Sequence, residues 1–379
     1  MARRSGHSEG HEGKFYCWTR AQLAGLLTPE EFKVATRHFG VTEGGNFIDH
    51  SHPHPLQGQN VLSVVEPSLT DSEKGLIASA KRKMFDARSG RVRPHLDDKV
   101  LASWNGLMLC ALARASTALG DEKYLTAARK NLAFLKTRLW QAADRRPGGA
   151  QTASAPLCGT LWHRWRDGDR DNVQLLEGYA FLLAGVLDLY EAALEPEHLD
   201  FALALAESMI AKFYDAENGG FWQSPAGQGD LIVRIKDDHD GAEPSGNSVA
   251  VLALLRLAAI AGRAHWREPA EATLRLFAGR LAEIPQAMPF MLHALDFWIE
   301  EPQRVVISGD PTSASARELL RVVHSVYQPN KVVLGTAGCV DPFAKTLPAK
   351  EGAAAYVCTG TACLPPTGDP RELKRILAR

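Results

Sequence analysis

The sequence predicts a mainly α-helical protein, a toroid of helical hairpins with a small α/β appendage at its C-terminal end. Three observations lead there. First, a polar, carboxylate-bearing loop runs into an apolar helix at three places: RPHLDDKVLASWNGLMLCALAR from Arg93, HRWRDGDRDNVQLLEGYAFLLAGVLDLYEAAL from His163, and KDDHDGAEPSGNSVAVLALLRLA from Lys236. The helices start at Trp104, Tyr179 and about Gly246, a recurrence of roughly 70 residues. Second, these helices alternate with helices that carry a single apolar stripe. A hairpin of that kind cannot bury its own face, so its neighbours must do it. An open solenoid would also satisfy that need, but inner helices this apolar favour closure into a ring. Third, the pattern changes after Pro302 to short β-branched runs around one helix, the signature of a small α/β unit.

Taken in order, FYCWT places aromatic residues before a capping Thr19, and RAQLAGLL reads as a short amphipathic helix. EEFKVATRHFG after Pro29 is another, closed by Gly40 as a C-cap. Gly44–Gly58 is a loop. Its HSHPHP run, with His50, His52 and His54 alternating, has some appeal as a metal site, but flanking prolines and the lack of a nearby cysteine favour a solvated loop. NVLSVV is a strand candidate. A helix through KGLIASAKRKMFDAR is capped by Thr70 or Asp71, with Glu73 in its first turn.

In the first inner helix Trp104, Leu107, Met108, Ala111, Leu112 and Ala115 form one stripe, and Leu109 and Cys110 widen it, which predicts burial on most sides. Its partner runs from about Glu122 to Trp140, and 141–160 is a loop rich in Ala, Gly, Pro and Ser. Tyr179, Leu182, Leu183, Val186, Leu187 and Tyr190 repeat the stripe, with a partner carrying Leu199 to Phe213. LIVRIK is a strand candidate, and the third inner helix pairs with one from about Glu268 to Ala282. Beyond Pro302, RVVISGD, KVVLG and AAAYVC read as strands and SASARELLRVVHSVY as a helix. The SGD turn lacks the glycine pattern of a phosphate loop. Cys358 and Cys363 form a lone C-x4-C, read as two packed thiols rather than half of a zinc site.

The totals exclude some classes. The chain has 379 residues, 45% of them hydrophobic and 23% charged, so a large core is expected. A net charge of -1, evenly spread, argues against a nucleic-acid partner held by a bulk basic surface. The six cysteines are scattered, which suggests free thiols in a reducing compartment. The first residues have no apolar run behind them, and the apolar stretch Ser248–Gly262 is interrupted by Arg256 and too short to span a bilayer. A soluble, cytoplasmic protein is the expectation.

Polar residues gather just before the inner helices, and helices running the same way bring those loops to one mouth. Asp98, His163, Glu177 and Asp240 are the candidate catalytic groups. Asp97, Trp104, Asn105, Arg164, Tyr179, Glu243, Ser245 and Asn247 are the candidate substrate-binding groups. Aromatic rings stack on sugar C–H faces, and carboxylates, amides, guanidinium groups and helix N–H groups supply directed hydrogen bonds. Two carboxylates could act as acid and base on a glycosidic bond. Two histidines could instead move a proton beside a sugar carbonyl, which is epimerisation. Each residue also has a structural reading: Asp97 or Asp98 pairing with Lys99, Ser245 capping, Trp104 and Tyr179 packing. No metal or cofactor is expected.

The stretches EGHEGKFYCWT, FGVTEGGNF, GQNVLSV, RPHLDDKVLASWNGLM, WHRWRDG, LEGYAFLLAGVLDLYEA, KDDHDGAEPSGNSVA and AYVCTGTAC resemble the spermatogenesis-associated protein 20 family, whose bacterial members are YyaL-like thioredoxin-domain proteins. The resemblance implies an (α/α)6 toroid related to N-acylglucosamine 2-epimerases and six-hairpin glycosidases, with a role in carbohydrate metabolism. Family members begin with a thioredoxin-like domain and an HFEKMLYD-type motif, and neither is present here. The expectation is therefore an N-terminally incomplete barrel over 1–300 and a small α/β subdomain over 301–379, a fragment or split gene product. The family's LEDYA reads LEGYA here, with Gly178 in place of the acid. Two functional classes follow. One is a sugar epimerase- or glycosidase-like barrel. The other is a non-catalytic scaffold that pairs with a separate thioredoxin-like chain.

Overall fold

A computed structural model describes residues 3–4, 7–143, 158–227, 231–349, 352–360 and 362–378. The part of the expected 141–160 loop between 144 and 157 lies outside them. The chain divides into two compact units, Met1–Lys99 and Val100–Arg379.

In the first unit, helices α1 (Arg20–Leu26), α2 (Pro29–His38) and α3 (Asp71–Ser89) each open with a reciprocal capping box: Thr19 with Gln22, Thr28 with Glu31, Thr70 with Glu73. Each box satisfies two N–H groups that a helix start leaves bare. Trp18, Leu23, Leu27, Val34, Phe39, Ile77 and Met84 form the core of this unit. NVLSVV does not form a strand, and only Asn60 makes a bridge, to Trp18. The histidine loop is a surface feature in which the His52 ring lies 4.1 Å from that of His11.

The second unit is an arc of α/α hairpins. Helices α4 (Ala102–Leu119), α6 (Leu176–Ala193), α8 (Gly246–Ala261) and α10 (Pro289–Ile299) pack side by side. Helices α5 (Glu122–Arg138), α7 (Pro196–Phe213) and α9 (Arg267–Glu283) return between them as outer partners. Helices α6 and α8 are buried almost all round, as their composition requires. Helix α4 departs from the expectation. Only Ala102, Ser103, Gly106, Leu109 and Ala113 are buried in it, while Trp104 and Leu119 are exposed. The reason is position: among the inner helices of this unit α4 has one neighbour, α6, where α6 and α8 have two.

Close approach of α4 to α6 depends on glycine. A Cβ built on Gly106 would lie 2.5 Å from the Phe181 carbonyl carbon, and one on Gly185 would lie 2.7 Å from the Gly106 oxygen. These contacts are with backbone, so no side-chain rotation relieves them.

After the arc comes a four-stranded sheet of β1 (Gln303–Gly309), β2 (Lys331–Leu334), β3 (Ala353–Thr359) and β4 (Ala362–Cys363), in the order β2-β1-β3-β4. β1 and β2 are parallel, joined by helix α11 (Ala314–Ser325), and β3 runs antiparallel to β1. Helix α12 (Pro370–Leu377) follows. The three expected strands and the helix between them are all present. One continuous core runs from Ala102 to Leu377, across the change of element type at 300/301. The mainly helical fold with a small C-terminal α/β part is as the sequence predicted.

Two expectations need correction. LIVRIK forms no strand, and Ile232 is fully exposed. Cys358 and Cys363 are not free thiols. They face each other across β3 and β4 and are joined in a disulfide.

Candidate functional site

The N-terminal ends of α4, α6 and α8 meet at one mouth. Neither α4 nor α6 has a side-chain cap, since Leu101 and Leu175 occupy the N-cap positions. Backbone carbonyls take the first N–H of each, His163 O that of Ala102 and Gln223 O that of Leu176, and the positive ends of both helices face the mouth. A small cavity of about 70 Å³ there is lined by Glu177, Gln223, Asp237, His239, Glu243 and the first residues of α8. Trp104 on α4 donates its indole Nε1–H to Glu243 Oε2 at 3.1 Å. That bond ties the first inner helix to the loop before the third. The Trp104 ring itself is 41% exposed.

Glu177 is the electrostatic centre. It sits in the first turn of α6, where the helix dipole favours the carboxylate. Its carboxyl is nonetheless pushed above the usual glutamate range, first by burial and then by the negative charge of Glu243 and Asp237, with the nearby Ser103 hydroxyl acting the other way. One carboxyl biased towards its protonated form beside two further carboxylates is an acid–base arrangement.

Other predicted site residues hold the mouth together, and of these Ser245 and Asn247 also line the cavity. Asp240 accepts from Ser245 N–H at 2.9 Å and from Phe290 N–H at 2.7 Å, fixing the loop before α8 to the start of α10. Asn247 is fully buried and clamps Phe221 from both sides: its Oδ1 accepts from Phe221 N–H, and its Nδ2 donates to the Phe221 and Asp237 carbonyls. Ser245 caps α8 by accepting from Ser248 N–H. Asn105 donates to Leu101 O and accepts from Asn131, linking α4 to α5. Arg164 lies on a short strand and faces Asp171, with 3.8 Å between the charged groups. The His163 backbone bridges Ala102 and Val173, and its side chain is not among those lining the cavity. Asp97 and Asp98 belong to the other compact unit, where Asp97 pairs with Lys99 at 3.5 Å and Asp98 is exposed.

Tyr179 is corrected from a stacking surface to a core residue. It is fully buried, its hydroxyl accepting from Leu161 N–H at 2.7 Å and donating to Gln174. Tyr179→Phe should therefore destabilise the fold by about 1–3 kcal/mol, because the buried Leu161 N–H loses its acceptor. Urea unfolding measures this. Unchanged stability would show that the hydroxyl carries no structural bond. Gly178 is also interior. A side chain there would meet Ala102 and Leu161, so it would enter apolar packing and not the cavity.

The sequence reading placed Asp237 and His239 in the polar loop before the third inner helix but chose neither as a candidate group, and it passed over Gln223. It also passed over a charged cluster at the opposite end of the inner helices. The signal was present: Arg256 is the one charge within Ser248–Gly262, and Asp188 and Glu191 interrupt the apolar run of α6. A charge inside an otherwise apolar helix implies a buried partner. For metals, the atoms of Glu195, Glu197 and His198 lie within 4.8 Å of one another among the described residues, but Glu195 already pairs with Arg129 and His198.

These features define a class: an α/α-hairpin protein with a carboxylate-rich mouth at the N-terminal ends of its inner helices. No family model matches the chain. Along 97% of its length it is similar to spermatogenesis-associated protein 20 of Homo sapiens at 38% identity, and at 36% to the proteins of that name from Rattus norvegicus and Mus musculus. An uncharacterised protein of Caenorhabditis elegans is 30% identical over 96% of the chain. The chain is thus similar to spermatogenesis-associated protein 20 along nearly all of its own length, as its motifs indicated, and it spans about half the length of these relatives, 49% of the human protein. Among solved structures, a glycoside hydrolase family 76 α-mannanase of Bacteroides thetaiotaomicron gives a TM-score of 0.39 at 15% identity, covering 67% of this chain and 68% of that one. A family 76 mannosidase from the same organism gives 0.37 at 15% identity, covering 54% of each chain. Among the described residues no helix is long and apolar enough to cross a membrane.

Proposed function

We propose that the mouth binds a sugar and performs acid–base chemistry on it, with Glu177 as the acid and Glu243 as the second carboxyl. The observation that carries this reading is the Glu177 carboxyl, raised by burial and by two neighbouring carboxylates in a cavity that the exposed Trp104 flanks. An exposed indole fixed by its N–H suits the C–H face of a sugar ring. Carboxylates and the open ends of α4 and α6 suit its hydroxyls.

A pair of unlike carboxyls favours glycosidase-like chemistry over epimerisation. A two-histidine epimerase needs a base on each face of the substrate, and among the described residues His239 is the one histidine that lines the cavity.

The test uses the full chain, calorimetry with aldoses and N-acyl sugars, and turnover of aryl glycosides. Binding of at least one sugar is expected. Glu177→Gln should leave affinity within a few-fold and lower turnover by about 10²–10⁴. Wild-type turnover should fall as pH rises through the Glu177 pKa, because the acid form is then lost. No heat from any sugar and no turnover would overturn the proposal.

A further inference from the structure

The mouth of the second unit differs from the rest of the molecule in how its carboxyls are matched. Elsewhere a shielded carboxylate meets an ammonium or guanidinium group. Glu31 pairs with Lys83, Asp215 with Lys236 and Asp238 with Arg280, at 2.7–2.8 Å. At the other end of the inner helices Arg256 donates to Asp188 Oδ1 at 2.7 Å and to Glu191 Oε1 at 2.8 Å, beneath a second cavity of about 220 Å³. At the mouth, Glu177, Asp237 and Glu243 line one small cavity that no lysine or arginine lines, and among the described residues none of the three forms an ion pair.

The nearby cations are taken. Lys236, next to Asp237 in the chain, turns to Asp215 and the Gly219 carbonyl, and Arg280 is held by Asp238. The Trp104 N–H gives Glu243 a hydrogen bond but no charge. The N-terminal ends of α4, α6 and α8 supply roughly half a positive charge each, about one and a half in all, which is less than Asp237 and Glu243 carry before Glu177 is counted. The excess is negative, and a group that enters here gains by being positive.

Its size is bounded as well. At about 70 Å³ the cavity is far below the roughly 300 Å³ or more of a pocket that encloses a small molecule. It admits one substituent of a sugar, not the ring. It is not shaped for a bare metal ion either. Among the described residues Glu195, Glu197 and His198 are the group whose ligand atoms all lie within 4.8 Å of one another, and the three carboxyls of the mouth are not such a group.

We propose that the mouth selects amino sugars whose nitrogen is unacylated and protonated, with the ammonium group in the small cavity against Asp237 and Glu243. This rests on the sugar-binding reading of the same site and narrows it. A primary ammonium offers three N–H donors, and its charge-assisted bonds to carboxylates are about twice as strong as neutral ones. An acylated nitrogen keeps one N–H, loses the charge and adds a group for which the cavity has no room. A uronic acid brings a further carboxylate and is repelled. The ammonium also offsets the charges of Glu243 and Asp237 that help to raise the Glu177 carboxyl, while burial, the larger cause, still favours its proton.

Calorimetry of the full chain with methyl hexosides in four forms tests this: 2-amino, 2-acetamido, 2-hydroxy and uronic acid, each in gluco and manno configuration. At about pH 6, below the amine range near 8, the amino form should bind about tenfold tighter or more than the 2-hydroxy form, with the uronic acid weakest. The preference should shrink as sodium chloride is added. It should vanish at about pH 10, where the amine is neutral. Asp237→Asn keeps an acceptor for the His239 N–H, and Glu243→Gln keeps one for the Trp104 N–H, so neither removes a bond that holds the loop. Each should cut the preference several-fold and leave the affinity for the 2-hydroxy form unchanged. A 2-hydroxy sugar bound as tightly as its amino form would overturn the proposal and leave the sugar-binding reading standing, whereas no binding of any sugar would remove both. A preference that survives pH 10 or both substitutions, or ethanolamine bound as tightly as the amino sugar, would also overturn it.

Discussion

Arg256→Met is expected to destabilise the second unit by about 3–5 kcal/mol, the usual cost of removing one partner from a buried ion pair. Asp188, Glu191 and Arg256 are all nearly inaccessible to solvent. Burial by itself disfavours an ionised Asp188, but the Arg256 and Arg114 guanidinium groups outweigh it and hold the carboxyl below its ordinary range. Glu191 goes the other way. Burial and the charge of Asp188 raise it against the pull of Arg256. Methionine keeps most of the volume of the arginine stem, so the loss is one of charge and hydrogen bonding rather than of packing. Arg114 cannot take over, because its own bonds run to Asp188 and leave Glu191 bare. Denaturant unfolding followed by helical circular dichroism measures the change. A companion variant, Arg256→Met with Asp188→Leu and Glu191→Leu, should recover most of the loss, since apolar groups of similar size can replace a buried network at little cost. A loss under about 1 kcal/mol for the single variant would mean that the two carboxylates find water or protons instead.

The second large effect is at Gly106. Gly106→Val should destabilise by about 3 kcal/mol, the upper end of the overpacking range, and Gly106→Ala by less. Alanine adds a Cβ 2.5 Å from the Phe181 backbone, but it also gains helix propensity of about 1 kcal/mol over glycine. Valine adds two more carbons at the same point, with χ1 restricted by the helix. Helix α6 would have to move away from α4, and with it the first turn that carries Glu177. The shift in unfolding midpoint across Gly, Ala and Val measures this. A flat series would show that the α4–α6 spacing is set by something other than this glycine.

Much of the architecture could be read from periodicity. The near all-round apolar pattern of α6 and α8 required burial on every side, and the stripes of α5, α7 and α9 required one covered face. The three capping boxes are local, and Thr19 and Thr70 marked their helices from a few residues each, while α2 was placed from Pro29 without its Thr28 cap. Strand candidates in loops misled. NVLSVV and LIVRIK have the right composition, but no neighbouring strand supplies their hydrogen bonds, and composition cannot report that. The disulfide was missed for a similar reason. C-x4-C spacing is silent on whether the two residues face each other, and here the pairing of β3 with β4 decides it.

The site residues divide along the same line. Sequence placed polar side chains before the inner helices, and Trp104, Glu177 and Glu243 do meet at the mouth of the second unit. Asp240, Ser245 and Asn247 were chosen for the same position in the chain, yet their hydrogen bonds go to backbone groups and, for Ser245, also to the Ser248 hydroxyl. Near a helix start, capping and ligand binding ask for the same residue types. Only the partner atoms separate the two uses.

By itself, then, the sequence determined most of the helical segments, though not α10 or α12, and it determined which faces are apolar and where polar loops enter the arc. Those properties depend on neighbours three or four residues away and on the cost of exposing apolar surface. Tertiary structure alone decided that Glu177 stands beside Glu243 and Asp237, that Gly106 touches α6, and that Arg256 joins Asp188 and Glu191 beneath a second cavity. Each joins residues about 60 or more positions apart in the chain. Their energies depend on distance and burial in space, which no local pattern encodes.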